Sequence, residues 1–371
     1  MLQQQHALVA QTFTAQREIS SLHFGPRGQG KKIYLQAGLH ADEHPGILVL
    51  HHLKQRLQTL EAQHRLTGEV VLVPIANPIG LDNFVFGRQL GRFELSSREN
   101  FNRHYPDLAK LIEAQVVGAL NDDADHNVQL IRRCLNQALQ ETVPNTELES
   151  LRLTLMRLAC DADYVLDIHC DSEAMLHLYV HSRQQEQARV LAAHTGANAI
   201  LHATIQGGNS FDETFTSVWH TLQQRFPQYP IPMATFAATL ELRGIQDVSH
   251  ELAIKDAEAL LAYLVQLGIV LGEPSEPPPL MCEPTPLAGV EVLQAPHAGI
   301  VVYRVTVGSR VEVGTALVDI IDPLTDRTST LHSTIAGMFY ARETERFTQT
   351  NAELTFVAGA QVLRQGCLLG A

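Results

Sequence analysis

Lys32-Ile33-Tyr34-Leu35-Gln36-Ala37-Gly38-Leu39-His40-Ala41-Asp42-Glu43-His44-Pro45 is the stretch from which the fold can be read. Lys32 to Ala37 reads as a short strand. Pro45 then opens a helix, because its ring presets a helical φ and its missing N–H is one that a helix start does not need. Ile47, Leu48, Leu50, Leu53 and Leu57 supply the apolar set of that helix. A strand that turns into a helix is the unit of an α/β fold. His40 and Glu43 stand on the turn between them.

A second apolar strand, Tyr164 to Ile168, ends in Asp167-Ile168-His169-Cys170-Asp171. The two strand ends together offer two imidazoles and a carboxylate. That is a three-ligand set for a catalytic zinc, one ion per chain, whose fourth position stays open for water or substrate. His40 and Glu43 are close enough in sequence for a tight turn to bring both to one ion, with His169 arriving from a neighbouring strand. The chain has 18 histidines, so a His-x-x-Glu spacing also arises by chance. His44 competes with Glu43 as the partner of His40 if the segment is helical, but Pro45 disfavours helix at the residue before it. His177, His181, His194, His202, His220 and His250 read as surface or core histidines.

The rest of the first 272 residues repeats the strand–helix pattern. Glu69 to Ile75 is a nearly continuous apolar run, as in a strand covered on both faces. Val128 to Leu139 and Leu151 to Leu158 read as helices, Leu176 to Val180 and Ala234 to Leu242 as strands, and Glu251 to Leu267 as an amphipathic helix. This interleaving predicts an α/β fold: a mixed sheet with helices on both faces. Ligands of such sheets gather at the carboxyl ends of strands, where His40, His169 and Glu241 all fall.

The chain has 371 residues, which predicts two domains. The break falls at Glu273-Pro274-Ser275-Glu276-Pro277-Pro278-Pro279, whose prolines make a semi-rigid connection. The expected division is a hydrolase domain over 1–272, a Pro-rich linker over 273–286 and a small all-β barrel or sandwich over 287–371. Two similar phrases, Ala295-Pro296-His297-Ala298-Gly299 and His332-Ser333-Thr334-Ile335-Ala336-Gly337, suggest related halves in the last part. Val307 to Gly314 resembles the lipoyl/biotinyl-type hybrid barrel. Carriers of that kind need a modified lysine, and no lysine follows Lys255. The β domain is therefore expected to serve interaction, oligomerisation or cover of the active site. Edge strands there make a homo-oligomer plausible.

Lys and Arg number 27 against 40 Asp and Glu, a balance of −13, which argues against non-specific nucleic-acid binding. An anionic substrate would need positive charge supplied by the site itself. Cys134, Cys160, Cys170, Cys282 and Cys367 show no CxxC spacing, and an odd scattered set fits reduced thiols in a cytoplasmic protein. Cys170 adjoins His169 but points to the other face of its strand, so it reads as packing. Met1 to His6 lacks the features of a signal peptide, and no apolar run is long enough for a membrane span.

Two further constellations carry chemistry. Arg92-Phe93 and Arg98-Glu99-Asn100-Phe101-Asn102-Arg103 crowd arginine and asparagine into a segment without helical periodicity. Arginine forks match carboxylates, so this reads as a binding loop, or on composition as a solvated loop with surface ion pairs. Thr239-Leu240-Glu241-Leu242-Arg243-Gly244 ends a strand on a carboxylate, which reads as a general base or as an ion-pair partner of Arg243.

In order, His40-x-x-Glu43, Asn102-Arg103, Asp167-Ile168-His169 and Glu241 resemble the succinylglutamate desuccinylase/aspartoacylase family, with its zinc carboxypeptidase-like fold. Asn100-Phe101-Asn102-Arg103 and Asp167 to Ala174 look closest to the N-acetyl-diaminobutyrate deacetylase-like branch. The resemblance implies zinc on His40, Glu43 and His169, and Glu241 as general acid/base. It implies Asn102 and Arg103 on the substrate carboxylate. An upstream arginine would polarise the scissile carbonyl; Arg92 is the choice and Arg98 the runner-up. Glu241-Leu242-Arg243-Gly244 is longer than the Glu-to-Gly spacing of aspartoacylases, which leaves the acyl group open. Tyr303 and Tyr340 are candidates for a late tyrosine. The implied function is zinc-dependent hydrolysis of a small-molecule N-acyl amino acid. The alternatives are a zinc carboxypeptidase acting on short peptides, or a non-catalytic zinc- or ligand-binding protein, which would need no Glu241.

Overall fold

The structure, a computed structural model, describes residues 1–370. Among these, nine strands form one mixed sheet. They are β1 (Leu2–Ala7), β2 (Glu18–Phe24), β3 (Lys32–Ala37), β4 (Glu69–Val73) and β5 (Tyr164–Asp171), then β6 (His177–His181), β7 (Ala199–Ala203), β8 (Phe236–Gly244) and β9 (Pro284–Pro286). Their spatial order is β1-β2-β4-β3-β5-β8-β6-β7-β9. The centre, β4-β3-β5-β8, is parallel, so its strand ends open on one side of the molecule.

Alternation along the strands sends successive side chains to opposite faces. Ile33 and Leu35 enter one core with Leu50, Leu191 and Leu260, while Tyr34 between them enters the other with Ile112, Leu155 and Trp219. Helices α1 (His44–Ala62), α5 (Gln185–Thr195) and α7 (His250–Gln266) cover the first face. Helices α2 (Leu108–Val116), α3 (Ala124–Glu141), α4 (Glu147–Ala159) and α6 (Phe211–Arg225) cover the second. Helices thus lie on both faces of a mixed sheet.

Ends differ from the pattern reading by a few residues where side chains cap them. Asp123 accepts from the Asp125 and His126 amides and starts α3 before Val128. Ser249 accepts from the Leu252 amide and starts α7 at His250. None of the helices among the described residues is long and apolar enough to cross a membrane.

C-terminal to β9 lie β10 (Val290–Gln294), β11 (Gly299–Tyr303), β12 (Ala316–Asp322), β13 (Arg327–His332), β14 (Gly337–Arg342) and β15 (Glu353–Ala358). They form two small antiparallel sheets, with β10-β15-β14 in one and β13-β12-β11 in the other. Hydrogen bonds tie this region to the large sheet's surroundings: Ala341 and Arg342 pair with Ala174 and Glu173, just beyond β5. The segment leading into it also joins the large sheet, because β9 pairs with β7.

One crossing of loops holds the site in place. The Ala41 amide donates to Gly91 O at 3.0 Å. A Cβ on Gly91 would stand 2.2 Å from the Asp42 nitrogen. Gly91→Ala is expected to cost about 1–3 kcal/mol, the range for forced overpacking. Urea denaturation of the two proteins reads the difference; equal midpoints would mean that the two loops separate freely.

Candidate functional site

The turn after β3 is built for two side chains to meet. Gly38 has φ +68°, a left-handed conformation that lets the chain leave the strand sharply. Glu43 caps α1, and its amide donates to His40 O at 3.1 Å. This closes the turn and turns both side chains inward. Sheet register does the rest: Ala37 lies beside Ile168, so His169 is the next residue along β5 from the turn.

His40 Nδ1 lies 2.8 Å from Glu43 Oε1, and His169 Nδ1 lies 2.9 Å from Glu43 Oε2. The Cys170 amide also donates to Oε2, at 3.0 Å. Cys170 thus contributes its backbone. Among the described residues, His40, Glu43 and His169 are the group whose donor atoms converge, all within 4.8 Å. His44 turns away and meets Gln89 Oε1 at 2.8 Å. His177 is buried on another strand, its Nδ1 2.8 Å from Met175 O.

The far side of each imidazole is also held. His40 Nε2 meets Asn100 Oδ1 at 2.9 Å. His169 Nε2 meets Asp167 Oδ2 at 3.0 Å, and Gln36 Nε2 donates to the other Asp167 oxygen at 2.9 Å. Both rings therefore aim Nδ1 at a common point with Nε2 occupied, the arrangement by which outer partners orient metal-binding histidines. Two imidazole nitrogens and a carboxylate suit a divalent metal ion, so these three buried residues can hold one. Burial and Arg92 lower the His40 pKa to about 4. Burial would lower His169 too, but Asp167 and Glu43 outweigh it and raise it well above the ordinary range. Burial would raise Glu43, yet the two imidazoles hold it below the ordinary carboxylate range. The acidic group is thus a ready anion between two oriented nitrogens.

Glu241 is the register partner of His169 on β8, and Thr239 that of Asp167, so the two strands present matched rows to the cavity. Glu241 Oε2 is buried with no hydrogen-bond partner among the described residues. Burial pushes its pKa up, opposed by His169. Arg243 does not pair with it: Arg243, at φ +58°, forms an ion pair with Asp256.

Arg92 stands at the rim, its Nη1 3.3 Å from His40 Nδ1 and 3.5 Å from Glu43 Oε1. Arg98 does not join the site. Its amide closes a turn on Glu94 O at 2.8 Å, its φ is +63°, and its side chain is exposed. Asn102 is buried with its amide engaged: Oδ1 accepts from the Phe211 amide at 2.8 Å, and Nδ2 lies 3.4 Å from His169 Nε2. Arg103 is also buried and lines the cavity. The cavity holds about 100 Å³ and is lined by His40, Arg92, Asn102, Arg103, His169 and Glu241, with Tyr179, Thr239, Gln206 and the acidic Asp171 and Asp212 also on its wall. Tyr303 and Tyr340 are not on that wall. The Tyr303 hydroxyl donates to Glu343 O and Leu354 O, and the Tyr340 ring packs on His177.

Asn100, Gln36 and Tyr179 are the participants that sequence reading missed; Asp167 was quoted within its motif without a role. The only signal for Asp167 was its place two residues before His169, on the same face of the strand.

A family model described as the succinylglutamate desuccinylase/aspartoacylase catalytic domain matches residues 29–267. Among solved structures, the fold is similar to a succinylglutamate desuccinylase/aspartoacylase family protein from Shewanella amazonensis, at TM-score 0.83 and 24% identity over 96% of this chain and 98% of that one. One from Shewanella frigidimarina gives 0.84 and 22% over 96% of each. The product-bound ectoine utilization protein EutE (DoeB) from Ruegeria pomeroyi gives 0.68 and 16% over 96% and 94%. No protein of curated function matches by sequence.

Asp167→Asn is expected to weaken divalent-metal binding about 10–100-fold, because an amide orients the His169 ring less firmly than a carboxylate. Competition against a chromophoric chelator reads the affinity. Unchanged binding would remove Asp167 from the support of the centre.

Proposed function

The chain belongs to the succinylglutamate desuccinylase/aspartoacylase family, and we propose from that membership that it is a zinc-dependent hydrolase of the amide bond in N-acyl amino acids. The observation that carries the reading is the buried His40–Glu43–His169 set facing Glu241 across a cavity whose other polar boundary is Arg103. When bound, zinc polarises an amide carbonyl and shifts the pKa of water towards neutrality. Glu241 takes the proton from the attacking water and passes it to the departing amine. Arg92, at the rim beside His40, places its guanidinium where charge develops on the carbonyl oxygen. Arg103 receives the free carboxylate and sets the amide in line with Glu241. Asn102 Oδ1 accepts from the Phe211 amide and so holds the start of α6 beside the cavity.

Glu241 has a place in this reading that a pure binding protein would not require.

Purified protein is expected to hydrolyse members of an N-acyl amino-acid panel, to lose that activity on chelation and to regain it with zinc. Glu241→Gln should keep its metal and lose about 10²–10⁴ in kcat, the usual weight of a general acid/base. Arg92→Gln should lose about 10²–10³ in kcat, as for one oxyanion donor. Normal turnover by Glu241→Gln would assign the base elsewhere, and stoichiometric zinc without hydrolysis would overturn the substrate class.

A further inference from the structure

Residues 359–370 follow β15 without regular secondary structure and run back to the cavity. Leu363 and Arg364 anchor this tail by donating their amides to Ala288 O at 2.8 and 2.9 Å. Further on, Leu368 and Leu369 donate theirs to Gln206 O at 3.0 and 3.1 Å. Leu369 forms part of the cavity wall. Gly370 O then accepts two hydrogen bonds from Arg103, from Nε at 3.2 Å and Nη2 at 2.6 Å.

The Arg103 fork therefore grips the chain's own backbone. Among the described residues this side chain donates three hydrogen bonds, all to carbonyls, the third from Nη1 to Asn102 O at 2.8 Å. A guanidinium fork is shaped for the two oxygens of a carboxylate, which would replace a neutral acceptor with an anion. Between the anchor at Ala288 and the seat at Gln206 lies Gly366, at φ +85°, where an added Cβ would meet nothing within 4 Å. It is an unpacked pivot. The cavity beneath the tail holds about 100 Å³. Ligand pockets usually offer roughly 300–1,000 Å³.

We propose that Gly366 to Gly370 is a displaceable strap that occupies the carboxylate seat on Arg103, and that an acylated amino acid enters by swinging it out about Gly366. The proposal rests on the reading that Arg103 receives the substrate carboxylate. Binding then couples to strap opening, and the apparent affinity carries the fraction of time for which the strap is open.

The test compares the full chain with one ending at Arg364, by isothermal titration with acetate, succinate, N-acetylglycine and N-acetyl-L-lysine. A strap closed nine-tenths of the time weakens apparent binding about tenfold, so truncation should tighten binding by about that factor. The gain should vanish in the Arg103→Gln background. In the intact chain, which needs no variant to fold, a bound carboxylate should speed hydrogen exchange at the Leu368 and Leu369 amides about tenfold, as a segment released from its bonds does. Those amides slowing on binding, or a folded truncated chain binding no tighter, would make the tail a fixed wall and overturn the proposal. Carboxylates that bind neither protein would overturn it together with the Arg103 seat. A carboxylate that opens the strap but is never hydrolysed leaves the strap standing and counts against the hydrolase reading; hydrolysis without any change in tail exchange does the reverse.

Discussion

The buried carboxylate of Glu43 is the constraint around which the fold is arranged. Its two oxygens meet His40 Nδ1, His169 Nδ1 and the Cys170 amide within 3.0 Å, and the residue is 5% exposed. An anion taken out of water costs several kcal/mol unless its partners are well placed. Here one partner, His169, lies 126 residues further along the chain, so β3 and β5 must lie side by side and end together. A parallel pair does that, with α1 covering the face that Ile33 and Leu35 leave apolar. The centre of the sheet and the cluster able to hold a metal ion are one requirement.

Around this carboxylate the polar groups form continuous chains. The Tyr34 hydroxyl donates to Gln36 Oε1, Gln36 donates to Asp167, and Asp167 holds His169. On the other side Asn100 Oδ1 meets both His40 Nε2 and the Asn102 amide, while Arg152 of α4 donates to Asn100 O. The first chain runs through the sheet and the second through the arginine-bearing loop. Each ring is thereby held by rigid elements, which is how a site keeps its geometry without help from a ligand. Buried networks of this kind restrict the alternatives, although Asn100 Nδ2 and Arg152 Nε have no hydrogen-bond partner among the described residues.

Much of this was legible in the sequence, and what was missed has physical reasons. Strand–helix alternation carried the central sheet because apolar runs such as Glu69 to Val73 are buried on both faces. The His-x-x-Glu turn and the His169 strand end were legible because strand ends in such sheets are where chemistry collects. The β1–β2 hairpin was not, because Leu2–Ala7 carries Gln3, Gln4 and Gln5 on an exposed edge and shows no apolar alternation. Helix α6 escaped because Asp212, Glu213, Thr214 and Thr216 are polar yet buried in its first turns, which erases the amphipathic signal. Asn100 and Gln36 escaped because their partners are set by register and loop packing. Arg92 and Arg98 looked alike in sequence; the crossing at Gly91 keeps the first at the site, and the turn on Glu94 takes the second away.

The two arginines that remain explain how an acidic chain can receive an anion. Arg92 is exposed at the rim, while Arg103 is buried, and burial together with the charge of Arg92 depresses its pKa. Two guanidiniums sharing a small cavity repel one another, and the nearby Asp212 and Glu213, whose pKa burial raises, act in the opposite direction. Among the described residues the hydrogen bonds of Arg103 go to neutral carbonyls, and Asp212 and Glu213 act on its charge from nearby. In the proposed reading a substrate carboxylate takes the same fork. In the proposed reading an anion is drawn to Arg103 in the wall of the cavity, and the lining left for the rest of the ligand includes Arg92, Tyr179 and Glu241.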